Sequence, residues 1–148
     1  DLFIALHGSY GNKLFNTLRA RFEKTSTSYN SLKSVADRWT EDNPSNTIGK
    51  ASNSTSIVSD DRYVEDASFL KVRNITLGYT LPLKQITQNS KLRIFVSLQN
   101  FFTLTGYSGY DPESNRNGVD ESSGLYQGVD FGTYPSAKNI QFGLNLTL

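Results

Sequence analysis

The reactive side chains in the sequence limit the chemistry that it can support. The 148 residues include no Cys and one His, which excludes disulfides, thiolate metal sites and cysteine nucleophiles. General acid–base catalysis needs a positioned partner, and His7 has no serine or acid at motif spacing. The net charge of +1 lacks the basic excess of a nucleic-acid-binding protein. We therefore predict no enzymatic activity, no cofactor and no nucleic-acid partner.

A second candidate for chemistry is the acidic stretch 111–121, which resembles a calcium-binding loop. Counted from Glu113, Asn115 and Asn117 fall at loop positions 3 and 5. Position 12 is then Gly124, where such a loop needs a bidentate glutamate. The missing ligand favours an ordinary acidic loop, and we predict no metal site.

Aromatic residues make up 12% of the chain, and several lie in or beside its long polar stretches. An aromatic ring with Asp or Asn beside it suits a sugar ring, because convergent polar groups fix the orientation of a ligand. The alternative is packing within loops or an aromatic belt at a membrane surface. The candidate ligand-binding residues are Trp39, Tyr107, Tyr110, Tyr126 and Tyr134.

Four segments that alternate with period two must position these residues, because such alternation is typical of strands with two different faces. The predicted strands cover residues 1–11, 69–81, 91–105 and 138–148, approximately. Each strand has one apolar face without a charged residue. In the last two strands this face contains Leu92, Ile94, Val96, Leu98, Phe142, Leu144 and Leu146. A change of phase near residues 73–74 predicts a β-bulge, since one extra residue flips the faces.

The connections between these strands are long, short and long. Long loops cover about 12–68 and 106–137, and a short turn covers 82–90. Short turns on one side and long loops on the other are typical of outer-membrane barrels. Long structureless loops are uncommon in compact soluble domains. The connections therefore favour part of a barrel.

Two short helices are predicted within the first long loop. The first has Asn12 as its N-cap and an apolar face formed by Leu14, Phe15, Leu18 and Phe22. The second covers about 31–39, where apolar residues recur at helical spacing.

The last eight residues are the most specific feature of the sequence. A polar residue, a Gly two positions later and alternating apolar residues resemble the β-signal of bacterial outer-membrane proteins. The positions that carry this resemblance are Gln141, Gly143, Leu146 and Leu148, with Leu148 where an aromatic residue is usual. A strand that ends flush with the chain can pair with the first strand of a barrel and close its edge.

Longer motifs occur one after another along nearly the whole chain. They are Gly8-Ser9-Tyr10-Gly11-Asn12, Asp37-Arg38-Trp39-Thr40, the stretch from Arg62 to Pro82, the stretch from Val96 to Thr103, the stretch from Tyr107 to Glu113, and Gly132-Thr133-Tyr134-Pro135. Together they resemble the C-terminal part of SusC/RagA-type TonB-linked (TonB-dependent) outer-membrane transporters of Bacteroidetes.

This resemblance implies an all-β fold, namely the last four antiparallel strands of a 22-stranded transmembrane β-barrel with long extracellular loops and one or two short loop helices. Residues 1–148 would be the C-terminal segment of the barrel domain, without the plug domain. The apolar strand faces are then expected to meet lipid, and the opposite faces to line the lumen. The chain opens on Asp1 and contains no Met, so we expect a mature chain, a processed product or an internal piece of a longer protein.

The function implied by the resemblance is TonB-dependent import of glycans or peptides across the cell outer membrane. This chain would contribute barrel wall, the closing strand and substrate-side loops. The implied partners are the rest of the barrel and its plug, a SusD-like surface lipoprotein, the TonB complex through the missing N-terminal part, and outer-membrane lipid. The alternative is a soluble β-sandwich carbohydrate-binding module, which accounts for the alternation but not for the terminal signal or the loop lengths.

Overall fold

The structure, a computed structural model, describes residues 1–25, 30–52, 60–83, 90–113 and 128–147. In chain order its strands are β1 (Leu2–Ser9), β2 (Lys13–Asn16), β3 (Val64–Asp66), β4 (Phe69–Pro82), β5 (Lys91–Thr105), β6 (Val129–Asp130) and β7 (Asn139–Thr147). One α-helix, α1 (Thr17–Phe22), follows β2, and 3-10 helices cover Lys33–Asp37 and Asp61–Tyr63. None of the helices in the described residues is long and apolar enough to cross a membrane.

The chain divides into two compact units, which we call the sheet unit and the loop unit. The sheet unit consists of Asp1–Asn12, Ala67–Gly106 and Pro135–Leu148. The loop unit consists of Lys13–Asp66 and Tyr107–Tyr134. The loop unit therefore draws its residues from two connections that are far apart in sequence.

The sheet unit is a four-stranded antiparallel sheet in the order β1-β4-β5-β7. These strands occupy the segments in which the alternation predicts strands. Their register places apolar residues directly opposite one another, and one such row is Leu2, Leu77, Val96 and Phe142. The alternating patterns of the strands therefore coincide and give the sheet one continuous apolar face.

Much of this apolar face is exposed, with Leu2 at 63%, Leu77 at 57% and Phe142 at 83% of full exposure. Of the residues predicted to face lipid, Ile94, Phe142, Leu144 and Leu146 are exposed, and Leu92, Val96 and Leu98 are half-buried. A surface of this size and composition needs an apolar environment or a partner, since soluble monomers rarely expose large contiguous apolar patches.

The opposite face of the sheet is polar at its centre. Thr76 and Ser97 lie opposite each other, and their hydroxyl oxygens are 3.1 Å apart. Ser97 also donates a hydrogen bond to Asn74 Oδ1 at 2.6 Å. The two faces thus differ in chemistry as the alternation predicts.

A β-bulge interrupts β4 at Arg73. The ladder with β1 passes from Asn74 to Val72 and leaves out Arg73, and the ladder with β5 does the same. On β5, Asn100 has a φ of 57°, a left-handed conformation that asparagine tolerates. The predicted bulge near 73–74 is confirmed, and it returns the apolar residues of β4 to one face.

Gly143 in β7 lies directly opposite Phe95 in β5. A β-carbon on Gly143 would overlap the Phe95 ring, so the ring rests over a position that has no side chain. The glycine of the predicted terminal signal therefore has a packing reason in this sheet. Leu148, the last position of that signal, lies outside the described residues.

The loop unit is organised by a small sheet in the order β3-β2-β6. The central strand, β2, pairs antiparallel with β3 and parallel with β6. Each residue of β2 has a ladder partner in β3 or β6, and Phe15 has one in both, so residues 13–16 are extended. The predicted helix start at Asn12 is therefore wrong: residues 13–16 form β2, and Asn16 is the N-cap of α1.

The second predicted helix is shorter than expected. Residues predicted as a helix over 31–39 form the 3-10 helix Lys33–Asp37, which buries Val35. The core of the loop unit combines this residue with apolar residues from its other segments, which are Leu14, Ala20, Ile48, Tyr63 and Tyr107.

Candidate functional site

The side chain of Asn16 joins α1 to two neighbouring segments of the loop unit. Its Oδ1 accepts a hydrogen bond from the Arg19 backbone N–H at 3.0 Å, which caps the helix. Its Nδ2 donates to Glu65 Oε1 at 3.3 Å and to Ser108 Oγ at 3.1 Å. Asn16 is 2% exposed, so all of its polar atoms are satisfied inside the protein.

Glu65, in β3, collects most of the hydrogen bonds in this region. Its Oε1 accepts from Arg19 Nη1 at 3.0 Å and from Ser108 Oγ at 2.8 Å, and its Oε2 accepts from the Ser108 backbone N–H at 3.0 Å. Arg19 Nε also donates to Glu23 Oε1 at 2.9 Å, one turn further along α1. We call Asn16, Arg19, Glu23, Glu65 and Ser108 the Glu65 cluster.

The Glu65 cluster is charged and is held in that state. Burial alone would raise the pKa of Glu65, but hydrogen bonds from Ser108 and the Arg19 guanidinium outweigh it and lower the pKa. Glu23 and then Glu65 raise the pKa of Arg19. Two carboxylates around one guanidinium leave a formal charge of −1, so the cluster favours neutral or cationic neighbours.

A further buried carboxylate of the loop unit, Asp130, joins Tyr107 to the backbone of residues 132–133. Its Oδ2 accepts a hydrogen bond from the Tyr107 hydroxyl at 2.7 Å, and its Oδ1 accepts from the backbone N–H groups of Gly132 and Thr133 at 2.8 and 3.3 Å. Asp130 is fully buried and Tyr107 is 6% exposed. Burial, followed by the Asp130 carboxylate, raises the pKa of the Tyr107 hydroxyl, which therefore stays a neutral donor.

Two glycines allow the segments of this region to approach closely. A β-carbon on Gly109 would overlap the Tyr107 ring. Gly132 has a φ of 85°, and a β-carbon there would lie 2.6 Å from Leu18 Cδ1. A larger residue at Gly132 would push its segment away from α1, and a larger residue at Gly109 would displace the Tyr107 ring that binds Asp130.

A pocket of about 310 Å³ lies beside the Glu65 cluster. Its apolar lining comes from Leu18, Phe22, Leu32 and Tyr110, and its polar lining comes from three members of the cluster, Asn16, Arg19 and Ser108. The volume is at the lower end of the range for ligand pockets. The pocket therefore suits a small group and not an extended ligand.

The structure places the five predicted ligand-binding aromatics in different settings. Tyr110 and Tyr134 are exposed, at 67% and 89%, and Tyr110 lines the pocket. Trp39 is half-buried, Tyr107 is buried against Asp130, and Tyr126 lies outside the described residues. Of the four that the structure describes, Tyr110 alone lines the pocket beside the Glu65 cluster.

Trp39 lines a separate cavity of about 270 Å³. The other lining residues include Arg38, Glu41 and Lys50, and the Lys50 ammonium lies 5.4 Å from the centre of the Trp39 ring. A cation over an aromatic face is attracted by the ring quadrupole, so the ring has an internal partner.

The calcium-like stretch falls largely in residues 114–127, which lie outside the described residues. Within the described ranges, no group of three or more His, Asp or Glu side chains is arranged to hold a metal ion.

Sequence reasoning missed the Glu65 cluster and Asp130. Asn16, Glu65 and Ser108 are separated by 49 and 43 residues along the chain; Asn16 lies within the first predicted helix, and Glu65 and Ser108 lie in the two predicted long loops. One available signal was Asn16 immediately before the helical Thr17–Phe22, since asparagine is a preferred N-cap.

Comparison with known proteins identifies the class of protein. The chain is 31% identical to TonB-dependent receptor P3 of Formosa agariphila over 150 residues, which cover 99% of this chain and 15% of that protein. It is 35% identical to TonB-dependent receptor SusC of Bacteroides thetaiotaomicron over 89 residues, which cover 58% of this chain and 8% of that protein. No protein-family model matches the chain.

The fold matches a solved structure as well. The RagAB peptide transporter structure superposes with a TM-score of 0.78 and 28% identity, over 98% of this chain and 15% of the matched chain. The chain belongs to the SusC/RagA-type TonB-dependent receptors, so the predicted resemblance is confirmed. It spans about 15% of the length of the first of these relatives.

Proposed function

We propose that the chain forms part of a TonB-dependent nutrient importer in the outer membrane, to which it contributes barrel wall and substrate-side loops. The observation that carries this proposal is the continuous apolar face of the sheet unit. On β5 this face runs from Leu92 to Leu104, interrupted by Asn100, and spans about 40 Å along the strand at roughly 3.4 Å per residue. At a strand tilt of about 45° this corresponds to roughly 28 Å, close to the apolar band of an outer-membrane barrel.

Aromatic residues on the same face support this orientation. Tyr10, Tyr79 and Phe102 are all exposed, at 96%, 68% and 54%. Tyr10 and Phe102 lie toward the end of the sheet next to the long connections, and Tyr79 lies toward the short turn. Aromatic belts at both interfaces are typical of outer-membrane barrels.

The open face also argues against a soluble β-sandwich carbohydrate-binding module. In a sandwich the apolar face would pack on a second sheet and bury its side chains. Here Leu144 is 70% exposed and Leu146 is 57% exposed. Lipid accounts for this exposure, whereas a sandwich does not.

The remaining assignments follow from this placement. The strands would be the last four of a 22-stranded barrel, and β7, with Gln141, Gly143, Leu146 and Leu148, would be the closing strand. A plug, a SusD-like surface lipoprotein and the TonB complex would complete the importer, whose cargo is glycan or peptide. The segment itself would bind and guide substrate without catalysing a reaction.

The test compares two arginine substitutions in the complete receptor that contains this chain. Leu98 lies midway along the apolar run of β5, and Gln99 lies next to it on the opposite face. We expect Leu98→Arg to cost about 2–4 kcal/mol in the bilayer, and Gln99→Arg to cost little in a water-filled lumen. Folding into lipid vesicles, followed by urea unfolding, measures both. Equal stability of the two variants would refute the assignment of the faces.

A further inference from the structure

The pocket beside the Glu65 cluster fits a narrower range of ligands than the names of this chain's relatives indicate. Its apolar residues Leu18, Phe22 and Leu32 come from α1 and from the segment that follows it. Leu32 is fixed to the helix end, because its backbone N–H donates to the Phe22 carbonyl oxygen at 2.9 Å. Phe22, Leu32 and Tyr110 remain 36%, 44% and 67% exposed, so they can still bury area against a ligand.

The polar residues of the pocket are occupied by one another. Both Nδ2 hydrogens and the Oδ1 of Asn16 are used, and the Ser108 hydroxyl donates to Glu65. Arg19 directs Nε and Nη1 to Glu23 and Glu65. A sugar ring that entered here would lose water from its hydroxyl groups and gain few hydrogen bonds, which carries a net cost.

The charge of the Glu65 cluster further limits which ligands the pocket can bind. Its formal charge of −1 disfavours a carboxylate or phosphate close to Arg19, because both carboxylates already pair with that guanidinium. An uncharged hydrocarbon group avoids both penalties. It replaces water over Phe22, Leu32 and Tyr110 and needs no polar partner.

We propose that this pocket binds one apolar side chain of a short peptide, of the size of leucine or phenylalanine. The proposal rests on the import function proposed above and assigns a substrate class to it. The volume of about 310 Å³ admits one such side chain. The Glu65 cluster acts as the support that holds Ser108 and the adjoining Tyr110 against α1.

The experiment uses the complete receptor in detergent and three probes, the tripeptides Ala-Leu-Ala and Ala-Ser-Ala and the trisaccharide maltotriose. Calorimetric titration should show a preference of about tenfold for the leucine peptide, the ratio expected when about half of a leucine side chain becomes buried. Leu32→Ser and Tyr110→Ser should each bring the two peptides to within about threefold of each other. Val64→Ser, at an apolar residue that is 42% exposed and outside the pocket lining, should leave the tenfold preference unchanged.

Three results would overturn the proposal. The first is equal binding of the two peptides, and the second is maltotriose binding that weakens in Leu32→Ser. The third is loss of the surface lipoprotein from the purified complex in Leu32→Ser with peptide preference intact, since the pocket would then hold a residue of that partner. The Leu98→Arg experiment tests membrane insertion alone, so failure of the import function is recognised separately.

Discussion

Replacing Glu65 with Gln is the most direct test of how the loop unit is held together. The substitution keeps the shape of the side chain and removes its charge. The uncharged amide oxygen would attract the Arg19 guanidinium, which lies 3.0 Å from Glu65 Oε1, less strongly, and the amide NH₂ could not accept the hydrogen bond that Ser108 donates to the carboxylate oxygen it replaces. We expect the segment around Ser108 to separate more easily from α1.

The size of the effect follows from burial. Hydrogen bonds to a charged group contribute about 1.5–3 kcal/mol each. The side chain of Glu65 is 12% exposed, but that of Arg19 is 35% exposed, so solvent weakens their pair. We therefore expect a loss of about 1–2 kcal/mol, which raises the open population of this segment about 5–30-fold.

Hydrogen exchange followed by mass spectrometry on the complete receptor measures this opening locally. Peptides that contain residues 105–112 should exchange faster in Glu65→Gln, while peptides from residues 91–104 of β5 should be unchanged. Glu41→Gln is the matched control, since Glu41 is an exposed glutamate of the same unit. Equal exchange in both variants would show that the Glu65 cluster does not hold the segment.

Three further predictions concern the pH response of Glu65, the Tyr107–Asp130 hydrogen bond and the Gly143–Phe95 contact. The folded-state pKa of Glu65 lies below its ordinary value of 4.5, so the stability that Glu65 contributes is complete above that value and is lost as the pH falls through the folded-state pKa. Hydrogen exchange of residues 105–112, corrected for intrinsic rates, should therefore stay constant from neutral pH down to about pH 5 and then accelerate. Constant protection at lower pH would contradict this prediction. Tyr107→Phe removes the hydroxyl that donates a 2.7 Å hydrogen bond to the fully buried Asp130, and it should lower the stability of the loop unit by about 1–3 kcal/mol, measured by the same hydrogen-exchange assay. Unchanged exchange would show that this hydrogen bond contributes nothing. Gly143→Ala should lower the stability of the refolded receptor in vesicles by about 1–3 kcal/mol, because the new β-carbon overlaps the Phe95 ring. Adding Phe95→Leu in the same chain should restore part of the lost stability. Absence of this rescue would place the cause outside the Gly143–Phe95 contact.

The sheet unit could be predicted from sequence because its signal is local. Each strand carries its own alternation, and the change of phase near Arg73 is visible in β4 alone. The exposure of the apolar face also follows from the residue types, once the strands pair in register. Long strands with alternating residues impose their register, since a slip of one residue would reverse both faces.

The loop unit could not be predicted in the same way because its contacts are distant in sequence. Strand β6 has two residues, and it pairs in parallel with Phe15 and Asn16 across more than a hundred residues. Neither segment has a pattern that indicates the other. Asp130 looks like a loop aspartate in sequence, and only the fold shows that Tyr107 and two backbone amides satisfy its carboxylate.

The separation into two units has a consequence for how such a protein can change over evolution. Strands β1 and β4 pair although about sixty residues, including most of the loop unit, lie between them. Loop-closure entropy grows slowly with length, so replacing a tight turn with an insert of this size costs only about 2 kcal/mol. The stability of the sheet unit therefore depends little on what is inserted between its strands. The loop unit, which we propose binds substrate, can change in sequence while the strands that carry it keep their alternating pattern.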